Sequence, residues 1–396
     1  MLRNRSSGRD GSWRFSLRVL VVSAYYPKHG GGIEIVAYQI IRQLVGYGFK
    51  FTWCATNCDS APENVHGLTT SPLSGSNSIE NVVRIPYPLI GPKSILKLWK
   101  LVKLSDVIHL HDFIYLSNIF SWLFARLQKK PVIITQHIGL VPYRNPLFKL
   151  SFTLVNNTLG RLMLAYSAKV VFIANHVQDY FASICGGAKP NWRYIPNGVD
   201  SKVFNNSTTP VEPDSNLFRI IPESPFVLFV GRFVEKKGMP FLQELVRQCD
   251  DIQWVFVGQG PIDPKCWDLN NVTTIQHLEH DGVSSLYRRA SLLVLPSVGE
   301  GFPLVIQEAV ASGTPVLTSP ETSRGCSDAS SFLFQMDIHS KDAVNNWEAK
   351  IRELLSDSEI LGSASAEGAI YAKEKWNWSS ICKQYEQVFR QVCSGR

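Results

Sequence analysis

The sequence predicts an α/β protein of two doubly wound domains, each a parallel sheet with helices on both faces. Three observations carry that expectation. The chain has 396 residues, more than a single hydrophobic core usually organises, so two domains of ordinary size are expected. Short, unbroken β-branched or aromatic runs recur along it, each followed by turn residues and then a helical pattern, as strands buried on both faces do. A polar stretch, Asn205 to Asn216, containing Ser207, Thr208, Thr209 and Pro210, interrupts that alternation and reads as an interdomain linker.

The bulk composition narrows the function classes. A hydrophobic fraction of 45% and a charged fraction of 18% describe a globular chain somewhat poor in charge. The net charge of +7 favours phosphorylated substrates or an anionic membrane surface. The basic residues are not gathered with aromatics into a nucleic-acid module, so no nucleic-acid partner is expected. The 8 cysteines are scattered, and Cys54 and Cys58 have neither zinc-ribbon nor Cys-x-x-Cys spacing, which fits a reduced, cytoplasmic protein. Met1 to Ser16 is polar and Arg-rich with no apolar h-region, and is expected to be a disordered extension. The longest uncharged apolar stretches, such as Phe113 to Ala125, fall short of the ~20 residues that a spanning helix needs.

In chain order, Arg18 to Ser23 is the first predicted strand, followed by the loop Y-Y-P-K-H-G-G-G-I-E and a helical pattern through Ile33, Val36, Ala37, Ile40, Ile41 and Leu44. Gly30, Gly31 and Gly32 either serve the turn alone or let the backbone approach a phosphate or sugar closely. Their spacing is not that of a dinucleotide fingerprint. Further strands are predicted at Phe51 to Ala55, Asp106 to Leu110 and Pro131 to Thr135, which puts His111, Asp112 and His137 at strand carboxyl ends, where ligands of such sheets bind. His109 and His111 share a face if the strand runs through both, but no third ligand at metal-site spacing accompanies them and no metal is assigned. Lys93 to Lys103 and Leu147 to Lys169 mix basic and apolar residues. They are either helices packed on the sheet or a face that docks on a membrane.

After a strand at Lys169 to Ala174, the second half opens with Phe226 to Val230 and then G-R-F-V-E-K-K-G, Gly231 to Gly238. Arg232 supplies a forked donor for phosphate oxygens and Lys237 a compact charge. Trp254 to Val257 leads into G-Q-G-P, where Gly258 and Gly260 would permit a ligand close to the backbone. Lys375 to Val392 repeats Trp378, Ile381, Tyr385, Val388 and Val392 at helical spacing.

Local signals agree most closely over Pro296 to Val316, P-S-V-G-E-G-F-P-L-V-I-Q-E-A-V-A-S-G-T-P-V. A buried strand, Ser291 to Leu295, runs into turn residues, and a helix is predicted over Pro303 to Ser312 with Pro303 at its first position and Gly313 and Pro315 as its stop. The free N–H groups and positive dipole end of such a helix can hold a phosphate. Glu300 lies just before the helix. Glu308 lies about five residues along it, roughly 7.5 Å at the helical rise, where a carboxylate can accept hydrogen bonds from two ribose hydroxyls.

This stretch resembles the Glu-x7-Glu signature of the retaining glycosyltransferases of family 4, and the resemblance extends over nearly the whole chain from Leu17 onward. It implies the GT-B fold, with an acceptor-side domain over 17–205, a sugar-nucleotide domain over 206–374, and a closing helix over 375–396 that returns to the first domain. A simple terminal helix on the second domain is the other reading of that last segment. Tyr194 to Asp200, Y-I-P-N-G-V-D, resembles the loop that closes the first domain. The resemblance assigns Arg232 and Lys237 to the donor diphosphate and Glu300 to the donor sugar. It gives Glu308 to the ribose and His137 to a sugar hydroxyl or developing charge. Gly31, Gly32, Gly231, Gly258, Gly301, Phe302, Pro303, Leu304 and Val305 complete the donor site, and the nucleotide base is expected near Thr274 to Leu278.

The function so implied is metal-independent, retaining transfer of a sugar from a nucleoside diphosphate sugar to a saccharide or lipid-linked acceptor, with no further cofactor and with peripheral membrane contact as an open partner. Two other readings stay open: a sugar-nucleotide epimerase on the same fold, and a catalytically silent sugar-nucleotide-binding protein. The segment Glu321 to Ala329 departs from the family in lacking its glycine pair.

Overall fold

The structure is a computed structural model and describes residues 17–83, 85–141, 145–207 and 220–394. The extension Met1 to Ser16 and most of the linker lie outside the described residues.

Two parallel sheets organise the chain. The first contains β1 (Arg18–Val22), β2 (Lys50–Cys54), β3 (Leu68–Thr70), β6 (Val107–His111), β7 (Val132–Gln136), β8 (Lys169–Phe172) and β9 (Trp192–Tyr194), in the order β3-β2-β1-β6-β7-β8-β9. A short antiparallel ribbon, β4 (Gly75–Ser76) with β5 (Leu89–Ile90), stands outside it. The second contains β10 (Phe226–Val230), β11 (Gln253–Val257), β12 (Val272–Ile275), β13 (Leu292–Leu295), β14 (Val316–Thr318) and β15 (Leu333–Gln335), in the order β12-β11-β10-β13-β14-β15. Register is fixed by the central strands, with Val19 opposite both Phe51 and Val107, and Leu293 opposite Val316.

The continuous apolar runs form these strands because both faces of each sheet are covered. In β1, Leu20 and Val22 join Leu98, Trp122, Met163 and Phe181 in one core. Val19 and Val21 turn the other way, toward Val36 and Ile40 of the helix Gly32–Val45. That second face is completed from far along the chain. The helix Trp378–Ser394 lays Trp378, Ile381, Tyr385, Val388 and Phe389 into the same core, with the Phe389 ring 5.6 Å from Phe49. Its entry is pinned by the Val199 N–H, which donates to the Trp376 carbonyl at 2.7 Å, and by the Trp378 indole, which fills the space where a Cβ on Gly198 would sit. Strand order reverses beside β1 in the first sheet and beside β10 in the second. Crevices open at such reversals, outside the strands' carboxyl ends. The loops after β1, β6, β10 and β13 therefore border these crevices.

Candidate functional site

The second-domain half of the crevice is built by two loops stitched together. After β10 the chain passes Gly231 and Arg232 into a tight turn over Glu235–Lys237. Gly238, with φ 77, then slips under the loop after β13, where a Cβ would meet the Pro296 carbonyl oxygen. The Val298 N–H donates to the Lys236 carbonyl at 3.0 Å and locks the two loops. Glu300 thereby reaches both ammonium groups, with its Oε1 3.2 Å from Lys236 Nζ and 3.3 Å from Lys237 Nζ. Burial pushes the Glu300 carboxyl up, but the two lysines outweigh it and hold it down at about 2. Burial lowers the Lys237 ammonium, with Lys236 and Arg232 adding to the effect and Glu300 opposing it. The result is a carboxylate and three cations concentrated at one strand end.

The helix after β13 runs Leu304–Ala311, with Pro303 as its extended N-cap (φ −63, ψ 132), one residue later than Pro303 as a first helical position would give. The free N–H groups of its first turn begin at Leu304 and Val305, beside the lysine pair's loop. Glu308 sits on this helix, and the Tyr287 hydroxyl donates to its Oε2 at 3.3 Å. Burial raises its carboxyl to about 7, with the Tyr287 hydrogen bond opposing, so the protonated form of Glu308 persists to near neutral pH.

Two of the expected site residues are held by protein packing. The Phe302 side chain is buried, its ring lies 5.6 Å from Trp376, and Gly325 has no side chain beneath it. An apolar ring beside such a core gains more there than in a polar crevice, so Phe302 anchors the loop. Gly258 (φ 145) likewise makes room for protein, since a Cβ there would collide with the Gly231 carbonyl oxygen. The glycine lets the loops after β10 and β11 stack.

The first domain supplies the opposite wall. Gly30 (φ 79) closes the turn Pro27–His29 and Gly31 caps the helix Gly32–Val45. Gly32 faces across the crevice, where a Cβ would contact Leu304 at 3.8 Å. His111 Nδ1 and His137 Nε2 lie 3.0 Å apart. Burial pushes the His137 imidazole down to about 3 and His111 well below its ordinary value, so both are neutral. Asp112 holds a left-handed backbone (φ 60), and its Oδ1 accepts the His137 N–H at 2.8 Å. The Asn118 amide fixes the strained corner by donating at 2.7 Å to the carbonyls of both His111 and Asp112. Strain of this kind persists only where surrounding contacts over-determine it, and it gathers at functional sites. The walls touch: the His137 carbonyl occupies the space a Gly301 Cβ would need, and His176 Nε2 is 2.9 Å from the Glu300 carbonyl.

Sequence reasoning passed over several residues here. Glu34 is 3% exposed and folds back over Gly31, and burial raises its carboxyl to about 7, with Asp112 adding to the rise and Arg232 opposing it. Its place in the first turn after the glycine loop was the available signal. His176 opens the helix that follows β8, so the strand-end rule that picked out His137 reaches it as well. Glu321, in the segment that departs from the family, accepts the Gly299 N–H at 3.1 Å; nothing in its spacing announced that. His109 lies outside the crevice, with Nε2 2.8 Å from Thr135 Oγ1 and its ring 5.3 Å from Phe389.

Comparison with known proteins fits this geometry. The family described as Glycosyltransferase Family 4 matches residues 30–203, and Glycosyl transferases group 1 matches 224–357. An uncharacterized glycosyltransferase of Methanocaldococcus jannaschii is 24% identical over 95% of this chain and 99% of its own length. The N,N'-diacetylbacillosaminyl-diphospho-undecaprenol alpha-1,3-N-acetylgalactosaminyltransferase of Campylobacter jejuni is 24% identical over 77% of this chain and 84% of its own. Among solved structures, sucrose-phosphate synthase from Thermosynechococcus elongatus superposes with a TM-score of 0.76 at 19% identity, covering 96% of this chain and 100% of that one. Anabaena HepE in complex with UDP and glucose gives 0.73 at 14% identity, covering 95% and 100%. With two facing parallel-sheet domains, a Glu-x7-Glu helix and family matches on both halves, the chain belongs to glycosyltransferase family 4 and is a glycosyltransferase of the GT-B fold.

Proposed function

We propose that the protein moves a sugar from a nucleoside diphosphate sugar to an acceptor hydroxyl with retention of anomeric configuration and without a metal. The observation that carries this reading is the cationic cluster in which Lys236 and Lys237 pair with Glu300 and Arg232 stands near Lys237, on the loop joined to the one that leads into the helix Leu304–Ala311 with its free N–H groups. A departing diphosphate accumulates negative charge, and preorganised cations with a helix N-terminus stabilise charge where it develops. In the proposed step the bond from the anomeric carbon to the diphosphate oxygen breaks. The acceptor oxygen bonds to that carbon on the same face, and a leaving-group oxygen takes the acceptor proton. Glu300 orients the lysines and accepts donor-sugar hydroxyls, and Glu308 accepts the ribose hydroxyls. Neutral His137 accepts or donates one hydrogen bond at the sugar. No covalent enzyme nucleophile is assigned.

Relatives whose names include a diphospho-undecaprenol acceptor or a phosphatidylinositol mannoside, and a neighbour bound to UDP-glucose, support a nucleotide-sugar donor and a saccharide or lipid-linked acceptor. Calorimetry against UDP, GDP and ADP sugars identifies the donor, and the anomeric configuration of the product tests the mechanism. An inverted linkage, or turnover abolished by a chelator and restored by a divalent cation, refutes it.

A further inference from the structure

One face of the first domain carries more exposed apolar surface than its own fold uses. It is formed by the helices Pro92–Leu104 and Leu116–Leu127 and by the helical stretch Pro146–Tyr166. Their inner sides are spent on the sheet, where Leu98, Trp122 and Met163 enter the core. Their outer sides leave Leu96, Leu127, Leu147, Leu150 and Leu154 each more than 60% exposed. Of the 17 large hydrophobic residues exposed among the described residues, 11 fall between Leu96 and Tyr166. Neighbouring helices meet along this face: the Trp99 and Phe124 rings lie 5.2 Å apart, and the Arg126 guanidinium lies over the Tyr166 ring at 5.9 Å.

The helix Pro146–Val155, P-L-F-K-L-S-F-T-L-V, has no buried residue. An isolated helix that short is marginal in water, and burial of an apolar face is what normally sustains one. Here the anchors lie on one side and toward its end: Val155 packs against the core, the Asn156 amide donates to the Tyr180 hydroxyl, and Gly160 packs under the Phe113 ring. Among the described residues nothing covers Leu147, Leu150 and Leu154, which stay more than 60% exposed.

Charge identifies the occupant. Residues 91–178 contain eleven Lys and Arg and two Asp, whereas the rest of the chain holds 29 Lys and Arg and 31 Asp and Glu. The basic excess of the whole protein therefore resides in this segment. Of the two acids, Asp106 is paired with Arg18 at 2.8 Å and Asp112 is buried in the crevice. A positively charged rim around exposed leucines complements a bilayer surface of anionic lipids, where apolar side chains enter the headgroup boundary and each nearby basic residue adds attraction.

We propose that this face docks the protein on an anionic lipid bilayer, with Leu147, Leu150 and Leu154 inserted and the lysines of Pro92–Leu104 lying over the lipid phosphates. His137 precedes Pro146 by nine residues, so docking sets the acceptor wall of the crevice beside the membrane. The acceptor class that follows is a lipid-linked saccharide. That last step rests on the glycosyltransferase reading, whereas the docking does not.

The test is co-sedimentation of the full chain with vesicles of equimolar phosphatidylglycerol and phosphatidylcholine, against phosphatidylcholine alone. Binding to the anionic vesicles is expected, weakened by high salt and lowered about tenfold or more by combined Leu147→Ser, Leu150→Ser and Leu154→Ser. A separate Lys93→Glu, Lys100→Glu, Lys103→Glu variant should lose the salt-sensitive part. Circular dichroism and donor calorimetry on both variants report whether fold and donor site persist. Absence of binding to anionic vesicles overturns the proposal, as does equal binding by the folded leucine variant. Concentration-dependent self-association that the serine substitutions abolish, without vesicle binding, overturns it in favour of a second copy of this chain. Donor binding intact with vesicle binding lost in the leucine variant supports docking, whatever the fate of the transferase reading.

Discussion

The two walls of the crevice bury carboxylates in opposite electrostatic settings. On the second-domain wall, Glu300 is surrounded by Lys236 and Lys237 and held at about 2. On the first-domain wall, burial raises both Glu34 and Asp112 to about 7, with Arg232 only partly opposing the rise of Glu34, beside histidines kept neutral. Glu308 follows the first-domain pattern although it stands on the second. The difference teaches what each wall is prepared to meet. Paired cations can transfer their attention to an incoming anion, whereas acids of raised pKa exchange hydrogen bonds with neutral hydroxyls at little cost.

Breaking the cationic wall should have the largest effect. Arg232→Ala or Lys237→Ala should lower kcat by about 10²–10³-fold, the magnitude seen when a donor to developing charge is removed, while thermal unfolding moves far less. Equal loss of stability and activity would make the cluster structural. Forcing the walls apart comes next. Gly301→Ala puts a Cβ into the His137 carbonyl and should cut turnover by tenfold or more, about 1.4 kcal/mol in barrier, with both domains still folded by circular dichroism. Unchanged kinetics would show that the walls need not meet.

A pH experiment sharpens the contrast. The folded pKa of Glu300, near 2, lies below its ordinary 4.5, so its contribution to stability is complete above about pH 4.5 and is lost as pH falls toward 2. Glu300→Gln should flatten the denaturation curve over that window. For Glu34 the sign is reversed: with a folded pKa near 7, its burial costs stability at neutral pH, and that cost is relieved as pH falls from 7 to 4.5. Glu34→Gln should therefore be relatively stabilising at pH 8. The smallest effect belongs outside the crevice. Tyr385→Phe removes a 3.3 Å contact with Thr135 and should cost about 0.5–1.5 kcal/mol in urea unfolding with kcat unchanged.

Much of this was legible in the residues. The strands were, because runs such as Phe226 to Val230 are buried on both faces and so carry no polar alternation to blur them. Arg232, Lys237 and Glu300 were, because each lies in a loop beside a strand end, and Glu308 was, because helical spacing from that loop places it, so position along the chain fixes position in space. The packing of Phe302 on Trp376 and the close approach of Gly258 to the Gly231 carbonyl were not legible, because those partners come from other elements of the chain. Glu34, His176 and Glu321 went unseen because their partners, Asp112, Glu300 and Gly299, are distant in the chain, and periodicity encodes neither a contact between loops of one domain nor, for His176 and Glu300, a contact across two.

The helix Trp378–Ser394 has a consequence for synthesis. It covers the face of the first sheet that Val19, Val21, Val107 and Ile133 present, so that domain's core stays open when Phe204 leaves the ribosome. At ordinary elongation rates the intervening residues take roughly 10–40 s to appear. Throughout that interval the half-covered sheet must be shielded by a chaperone or by transient contacts, and first-domain folding is tied to completion of the second. Shortening the chain before Trp378 should therefore damage the domain farthest from the cut in sequence.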